Sequence, residues 1–273
     1  NLKKNNKLKI PEIIFNDEIK VSYLDNVHEM IEEMMILNNK LVAEYFNKNK
    51  KTFIGRSHEE PILDNNYNLM KKINDNFNKF NFSSINGILD NDNKNYLINL
   101  FLIQQIMPKA RYDINKDSHW GLDLKNYSHF TSPIRRFSDL VNHYLLFDIE
   151  FSKKELLNIT RIINKNEDDQ QKLSYELINI KRFQNLKANE LNYKSKKLSG
   201  IIINVSNPRI LVFIKDLFIS QEIHVAKFSN NRLNFDEIKK EYIGEVNLFI
   251  GKEINLEIIK INYCSRLLEF EIS

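Results

Sequence analysis

The feature that most constrains this chain is a change of hydrophobic period near residues 194–198. Before it, apolar residues recur at helical spacing over long stretches. After it they alternate, most cleanly where Ile254, Leu256 and Ile258 interleave with Glu253, Asn255 and Glu257. A helical stripe and a pleated strand bury their apolar side chains on different periods, so a single uniform architecture cannot serve both segments. The switch coincides with a basic cluster at Lys194, Lys196 and Lys197, a natural boundary. The reading is α+β, with a largely helical domain over residues 1–194 and a β-rich domain over 195–273. Five strands are expected at residues 199–205, 210–215, 219–225, 253–261 and 267–272. Five short strands in a terminal module suggest an OB-type barrel.

The helical part opens with two short β-like patches, at residues 13–15 and 19–23, and then a helix over residues 27–46. Met30, Met34, Leu37, Leu41 and Tyr45 share one face of that helix, widened by Ile31, Met35 and Val42, and this face is expected to meet a core. Asn38 falls inside the arc, as a satisfied core amide or a group facing a channel. Further helices are expected at residues 97–110, 153–164 and 168–193, with Leu173, Leu177, Ile180 and Phe183 or Gln184 on one face of the last, and a loop at residues 87–94. Arg56 and His58 flank Ser57 in an extended segment and point to the same side, which suits a loop tie better than a catalytic histidine.

The densest chemistry lies at residues 129–147, HFTSPIRRFSDLVNHYLLF. Pro133 fixes its own φ and pushes Ser132 toward extended geometry, so a helix is expected to start here with Ser132 as N-cap. Ile134, Phe137, Leu140, Val141, Tyr144 and Leu145 would then form its apolar stripe. Arg135 and Arg136 fall in the first turn, where the helix dipole favours an anion. Asp139 is one candidate partner, at helical spacing from both, and a phosphate is the other. Spacing alone favours the structural pair, the commoner outcome for such charges.

The whole chain supports one large or two modest domains at 273 residues, at about 150 residues per domain. A net charge of +4 is compatible with an anionic partner. The one cysteine, Cys264, rules out an internal disulfide and suits a reducing compartment. With neither a membrane-length apolar run nor a signal-peptide pattern, the expectation is a cytoplasmic protein that does not enter a membrane. The first residue is Asn1, which suggests the C-terminal part of a longer polypeptide.

The arginine stretch, followed by Asp139 and His143, closely resembles the HFTSPIRRYPDLxxH signature of the RNase II/RNase R family of 3′-to-5′ exoribonucleases. The segment around Glu32, Glu33 and Asn39 is similar to that family's LIEEfMLLAN helix. FIGRSHEEP resembles its YRVHEPP turn, and HWGLDLKNYSHF, with Tyr127 and His129, its GHFGLALxxYxHF segment. The final strands resemble its closing S-one-type RNA-binding barrel, with His224 and Val225 in a VHxS-like strand. The resemblance implies the second half of an RNB catalytic domain followed by an OB-fold barrel, and processive hydrolysis of RNA to nucleoside monophosphates. It gives Arg135 a place against the scissile phosphate and Glu176 a place near the catalytic centre. Arg136, Tyr127, His129, Glu33, Arg209 and His224 become candidate RNA-binding residues. The aromatics would either stack on bases or pack beneath the turn.

Two departures qualify what the resemblance implies. The family holds magnesium with an aspartate cluster spaced D-x₅-D-x-D-D, and no such cluster occurs in this sequence. Mg²⁺ is thus expected as the cofactor, with its ligands outside this chain and no metal ligands within it. The family's second barrel strand carries aromatics where this chain has Asn207, Pro208 and Arg209, so stacking there is weakened, with Arg209, Lys215 and Lys227 left for phosphate contacts. The expected partner is single-stranded RNA, bound by a monomer without a small-molecule cofactor. The alternative is a non-catalytic RNA-binding remnant or regulator of the same fold.

Overall fold

A computed structural model of the chain describes residues 7–8, 12–15, 19–22, 26–63, 67, 70–71, 73–74, 77, 79–90, 95–115, 118–193, 196–229, 233–237 and 239–272. Tyr23, residues 91–94 of the expected loop, Lys194 and Ser195 of the basic cluster, and Asn230 lie outside those residues. The chain forms two compact units, Asn1–Gln171 and Lys172–Ser273.

The first unit begins with an antiparallel hairpin, β1 (Glu12–Phe15) and β2 (Ile19–Ser22). Helix α1 (Asn26–Lys48) follows, uninterrupted by Gly or Pro, with Glu29 in its first turn and Lys48 in its last, both suited to the helix dipole. Its burial is the reverse of the expected one. Met30, Met34, Leu37, Leu41 and Tyr45 are exposed, whereas Ile36, Asn39, Ala43 and Phe46 are buried. Asn38 is exposed and its neighbour Asn39 is the core amide. Periodicity shows that a helix has an apolar face but cannot say which surface comes to meet it.

Strands β3 (Ile54–Ser57) and β4 (Arg111–Ile114) pair antiparallel, and Ile54 and Tyr112 join Val141 and Leu156 in one core cluster. Between these strands run α2 (Phe82–Ile88), capped by the Asn81 side chain on Ser84 N–H, and α3 (Tyr96–Ile106). α2 takes in the start of the expected loop. Asn99 is fully buried and exchanges amide hydrogen bonds with Asn74 at 2.8 and 3.1 Å, so a polar residue enters the core with its partner supplied.

Helix α4 (Phe137–Leu146) starts later than expected. Residues 133–135 form a turn in which Ser132 carbonyl accepts from Arg135 and Arg136 N–H, and Arg136, with extended φ and ψ, is the N-cap residue. Ile134 and Phe137 are exposed, and the buried face is Ser138, Asp139, Val141 and Asn142. A mostly polar face is buried because each group finds a bond. Asn142 alone closes two hydrogen bonds with Ile54 backbone and one with His129 carbonyl.

Helix α5 (Lys153–Ala188) is continuous through the break expected at residues 165–167. A capping box starts it, with Ser152 N–H donating to Glu155 and Glu155 N–H to Ser152 Oγ. Asn164 clamps Tyr112 backbone on both sides at 2.9 Å, and Glu167 takes Arg56 in a bidentate pair at 2.7 and 2.9 Å. These ties hold in helical geometry a stretch too polar to signal it.

In the second unit, Phe183 of the expected stripe is buried near the end of α5 together with Leu186, but its other members Leu173 and Leu177 are about 60% exposed. After α6 (Glu190–Tyr193) come β5 (Leu198–Val205), β6 (Arg209–Ile214), β7 (Ile219–His224), β10 (Glu253–Asn262) and β11 (Leu267–Ile272). They form an antiparallel sheet in the order β11-β10-β5-β6-β7. It is curled into a nearly closed barrel, with Leu268 N–H on β11 donating to Gln221 on β7 and Lys227 Nζ reaching Phe270 carbonyl. Gly200 permits the curl, since a Cβ there would sit 2.8 Å from Val212 and 2.9 Å from Leu256. A small hairpin, β8 (Asn234–Asp236) and β9 (Glu241–Ile243), fills the interval between β7 and β10.

Candidate nucleic-acid interface

The site is organised by one buried carboxylate. Asp139 has no solvent exposure, and its Oδ2 accepts from Ser132 N–H at 2.9 Å and from Arg136 Nε and Nη2 at 3.0 and 2.8 Å. Its Oδ1 accepts from the Ser138 hydroxyl at 2.9 Å. The structural reading of the charge pair therefore holds for Arg136, which is mostly buried. Arg135 is exposed, and among the described residues its side chain has no hydrogen bond or ion pair. One guanidinium is spent on the fold and the next is left for solvent.

Beneath this turn lies an aromatic and histidine stack. His129 Nδ1 meets the Tyr112 hydroxyl at 2.8 Å, and Arg56 lies 4.3 Å over the Tyr112 ring. His129 is also edge-on to Tyr127, and Tyr127 to His119. Burial, with help from Arg136 and Arg56, holds His129 down at about 2; burial and His58 hold His119 at about 3. Both rings are neutral at pH 7. His58 is a tie: Nδ1 accepts from Gly121 N–H at 3.0 Å, so Nε2 carries the proton and donates to Pro108 carbonyl at 2.9 Å.

Between this stack and α1 opens a cleft of about 350 Å³, whose wall includes Glu32, Ile36, Asn39, Tyr127 and Arg136. Asn39, 2% exposed, donates to the Tyr127 hydroxyl at 3.2 Å and accepts from Phe130 N–H at 2.9 Å. Tyr127 is thus a packed wall with one edge on the cleft, and burial raises its phenol pKa. Glu32 and Glu33 are both held by Lys7, at 2.8 and 2.7 Å. Burial works against the Lys7 ammonium, but the two carboxylates more than offset it and raise its pKa.

Of the residues singled out from sequence, the fold gathers Arg135, Arg136, Tyr127 and His129 around the turn, with Glu33 on the neighbouring helix. Glu176 is exposed on α5 and belongs to the second unit. So do Arg209, ion-paired with Glu222 at 3.1 Å, and His224, whose Nδ1 accepts from Ala226 N–H. Lys215 and Lys196 are likewise paired, with Glu253 and Asp216. Sequence reasoning did not single out Lys7, Asn39 or Glu32 as parts of the site. Asn39 and Glu32 stood inside the resembling helix segment, but Lys7 carried no sequence signal.

Among the described residues no group of three His, Cys, Asp or Glu side chains could hold a metal ion. The cleft's carboxylate, Glu32, is already neutralised by Lys7. These residues do not fit a magnesium pair. No helix among the described residues is long and apolar enough to cross a membrane.

Residues 2–152 match the RNB domain family. The chain is 26% identical over 300 residues to the ribonuclease R of Vibrio parahaemolyticus, covering 96% of this chain and 35% of that protein. It is similar in fold to the apo form of Mycoplasma genitalium RNase R, with a TM-score of 0.73 at 21% identity, over 98% of this chain and 46% of that one. It also resembles yeast Ssd1, described as a pseudonuclease, with a TM-score of 0.58 at 24% identity, over 78% of this chain and 28% of the other. The chain thus spans roughly a third to a half of the length of these ribonuclease R proteins.

Proposed function

This chain belongs to the RNB domain family, and from that premise we propose that it supplies the RNA-gripping second half of an RNase R-like 3′–5′ exoribonuclease. Residues 1–194 are the C-terminal part of the RNB domain and residues 195–273 an S-one-type RNA-binding barrel, working as a monomer in the cytoplasm. The observation that carries this reading is the turn at Ser132–Arg136. Asp139 consumes Arg136, which rigidifies the loop and leaves the neighbouring Arg135 side chain exposed, with no ion pair among the described residues. A preorganised guanidinium at that place would meet the charge on a terminal phosphodiester. The neutral aromatic stack would support the loop, and Glu32 and Glu33 would border the strand's path.

Magnesium, where it acts in this reading, would activate the attacking water and be held by residues outside this chain. The chain's own residues bind and orient the RNA. Taken alone, the chain binds single-stranded RNA weakly and does not cut it. The second reading is a non-catalytic RNA-binding protein, favoured by the lack of a carboxylate cluster among the described residues.

The test is anisotropy of labelled single-stranded RNA at several salt concentrations, alongside mononucleotide release with magnesium present or chelated. Salt-sensitive binding that weakens in Arg135→Ala, without release, supports the proposal. Magnesium-dependent release by the chain alone would show that a metal site exists within it. Absence of salt-sensitive binding would remove the RNA-gripping role.

A further inference from the structure

Among the described residues Lys7 is the only buried lysine, at 7% exposure, a placement that a lysine tolerates only when its ammonium is paired. Its backbone is fixed from two sides. The Lys7 carbonyl accepts from Asn86 Nδ2 on α2 at 3.0 Å, and the following N–H, that of Leu8, donates to Gly121 carbonyl at 3.1 Å. Gly121 adjoins Leu122, which lines the cleft. Pinned in this way, the chain delivers the Lys7 ammonium onto α1, where it donates to Glu32 at 2.8 Å and pairs with Glu33 at 2.7 Å. The two carboxylates are 38% and 34% exposed, so the lysine is the enclosed member and the acids are the ones that meet water.

The charges around the cleft give this arrangement a consequence. Of the Asp, Glu, Lys and Arg side chains that line it, Arg136 is cancelled by Asp139, which leaves Glu32, with Glu33 next to it on α1. Two carboxylates and one ammonium leave the cluster with a net charge of −1, and without Lys7 it would be −2. Each uncompensated carboxylate repels a strand that carries one negative charge per phosphate. Lys7 is too enclosed to reach a phosphate itself, so its effect on a bound strand runs through the two glutamates. Short charge-assisted bonds also hold both acids in one arrangement.

We propose that Lys7 is a positioning residue of the RNA path, which fixes Glu32 and Glu33 and halves the negative charge those carboxylates set beside the strand. The inference rests on the RNA-gripping reading above and adds to it the residue that lets a carboxylate-bearing wall accept a polyanion.

The whole chain is titrated against labelled single-stranded RNA by anisotropy at about 0.05 M and about 0.3 M salt, between which the screening length falls from roughly 14 to roughly 6 Å. One further unpaired carboxylate about 10 Å from a phosphate weakens binding roughly 3- to 10-fold at the lower salt. That is the loss expected for Lys7→Met, and it shrinks at the higher salt. Lys7→Arg keeps native affinity. The triple variant Lys7→Met/Glu32→Gln/Glu33→Gln regains it, because the charges that Lys7 answers are gone. Glu33→Gln, which retains the Lys7–Glu32 pair, moves the other way and tightens binding by a similar factor. Trp120 emission and the urea midpoint identify the variants that are folded, and Glu33→Gln decides the matter where Lys7→Met does not fold. Native affinity in a folded Lys7→Met overturns the proposal, as does weaker binding by Glu33→Gln. A loss that the triple variant does not recover makes Lys7 a direct RNA contact or a packing residue and overturns it too. So does a loss in Lys7→Arg equal to that in Lys7→Met. Each of these failures, with the native chain still binding RNA, leaves the RNA-gripping reading intact. A native chain without salt-sensitive binding removes that reading and the role of Lys7 with it.

Discussion

Asp139→Asn isolates the charge at the centre of the arginine turn. The amide keeps the carboxylate's shape and one acceptor oxygen for Ser132 N–H and Arg136, and its NH₂ can turn toward the Ser138 hydroxyl. The number of hydrogen bonds thus stays nearly the same. What disappears is the negative charge opposite an Arg136 side chain that is only 20% exposed. Leaving one partner of a buried pair uncompensated costs about 3–5 kcal/mol. Because Arg136 keeps some contact with water, the expected loss is at the lower end, about 3 kcal/mol. Urea denaturation followed by tryptophan emission reads it directly, because Trp120 is the chain's one tryptophan and lies in the first unit. The midpoint should fall with an unchanged slope. In an Arg136→Met background the same Asp139→Asn change should cost about 1 kcal/mol or less, since no cation is then stranded. A loss below about 1 kcal/mol in the native background, or equal losses in both, would refute the assignment of Asp139 as the ion that holds the turn.

Protonation of the buried histidines gives a second test. His129 and His119 sit at about 2 and about 3 in the folded chain, well below the ordinary 6.5, so the unfolded chain binds more protons as pH drops. Their stabilising contribution is full above about pH 6.5 and is lost on acidification toward pH 3, by up to about 1.4 kcal/mol per pH unit for each ring. Urea midpoints between pH 7 and 4.5 measure it, and a flat profile would contradict the burial. In a protein that also carries the rest of the RNB domain, Arg135→Ala should lower turnover about 100- to 1000-fold with a smaller change in RNA affinity. A loss no greater than that of an exposed lysine control would sink its role at the phosphate. Removing residues 196–273 should flatten the salt dependence of RNA binding only slightly. Arg209, Lys215 and Lys196 are already ion-paired, and each freed phosphate contact would contribute only about one unit of slope. A drop of several units would show that those pairs open for RNA.

The sequence by itself determined what local rules govern. The change of period located helices before and strands after the basic cluster, and all five barrel strands lie within one or two residues of their expected bounds. The Arg136–Asp139 pair was legible because an i, i+3 spacing brings two side chains together whatever surrounds them. Only the tertiary structure decided the rest, because each remaining point depends on a group distant in the chain. It put Asn39 rather than Asn38 into the core, where Tyr127 and Phe130 supply its bonds from some 90 residues away. It carried α5 through a polar stretch by joining Glu167 to Arg56, and it tied Glu32 and Glu33 to Lys7. It delayed the start of α4 until after Arg136, since Asp139 draws Ser132 N–H inward and makes the preceding residues a turn. It turned the most apolar face of α1 outward. Hydrophobic period measures how strongly a face avoids water, and not whether the folded chain brings a surface to meet it.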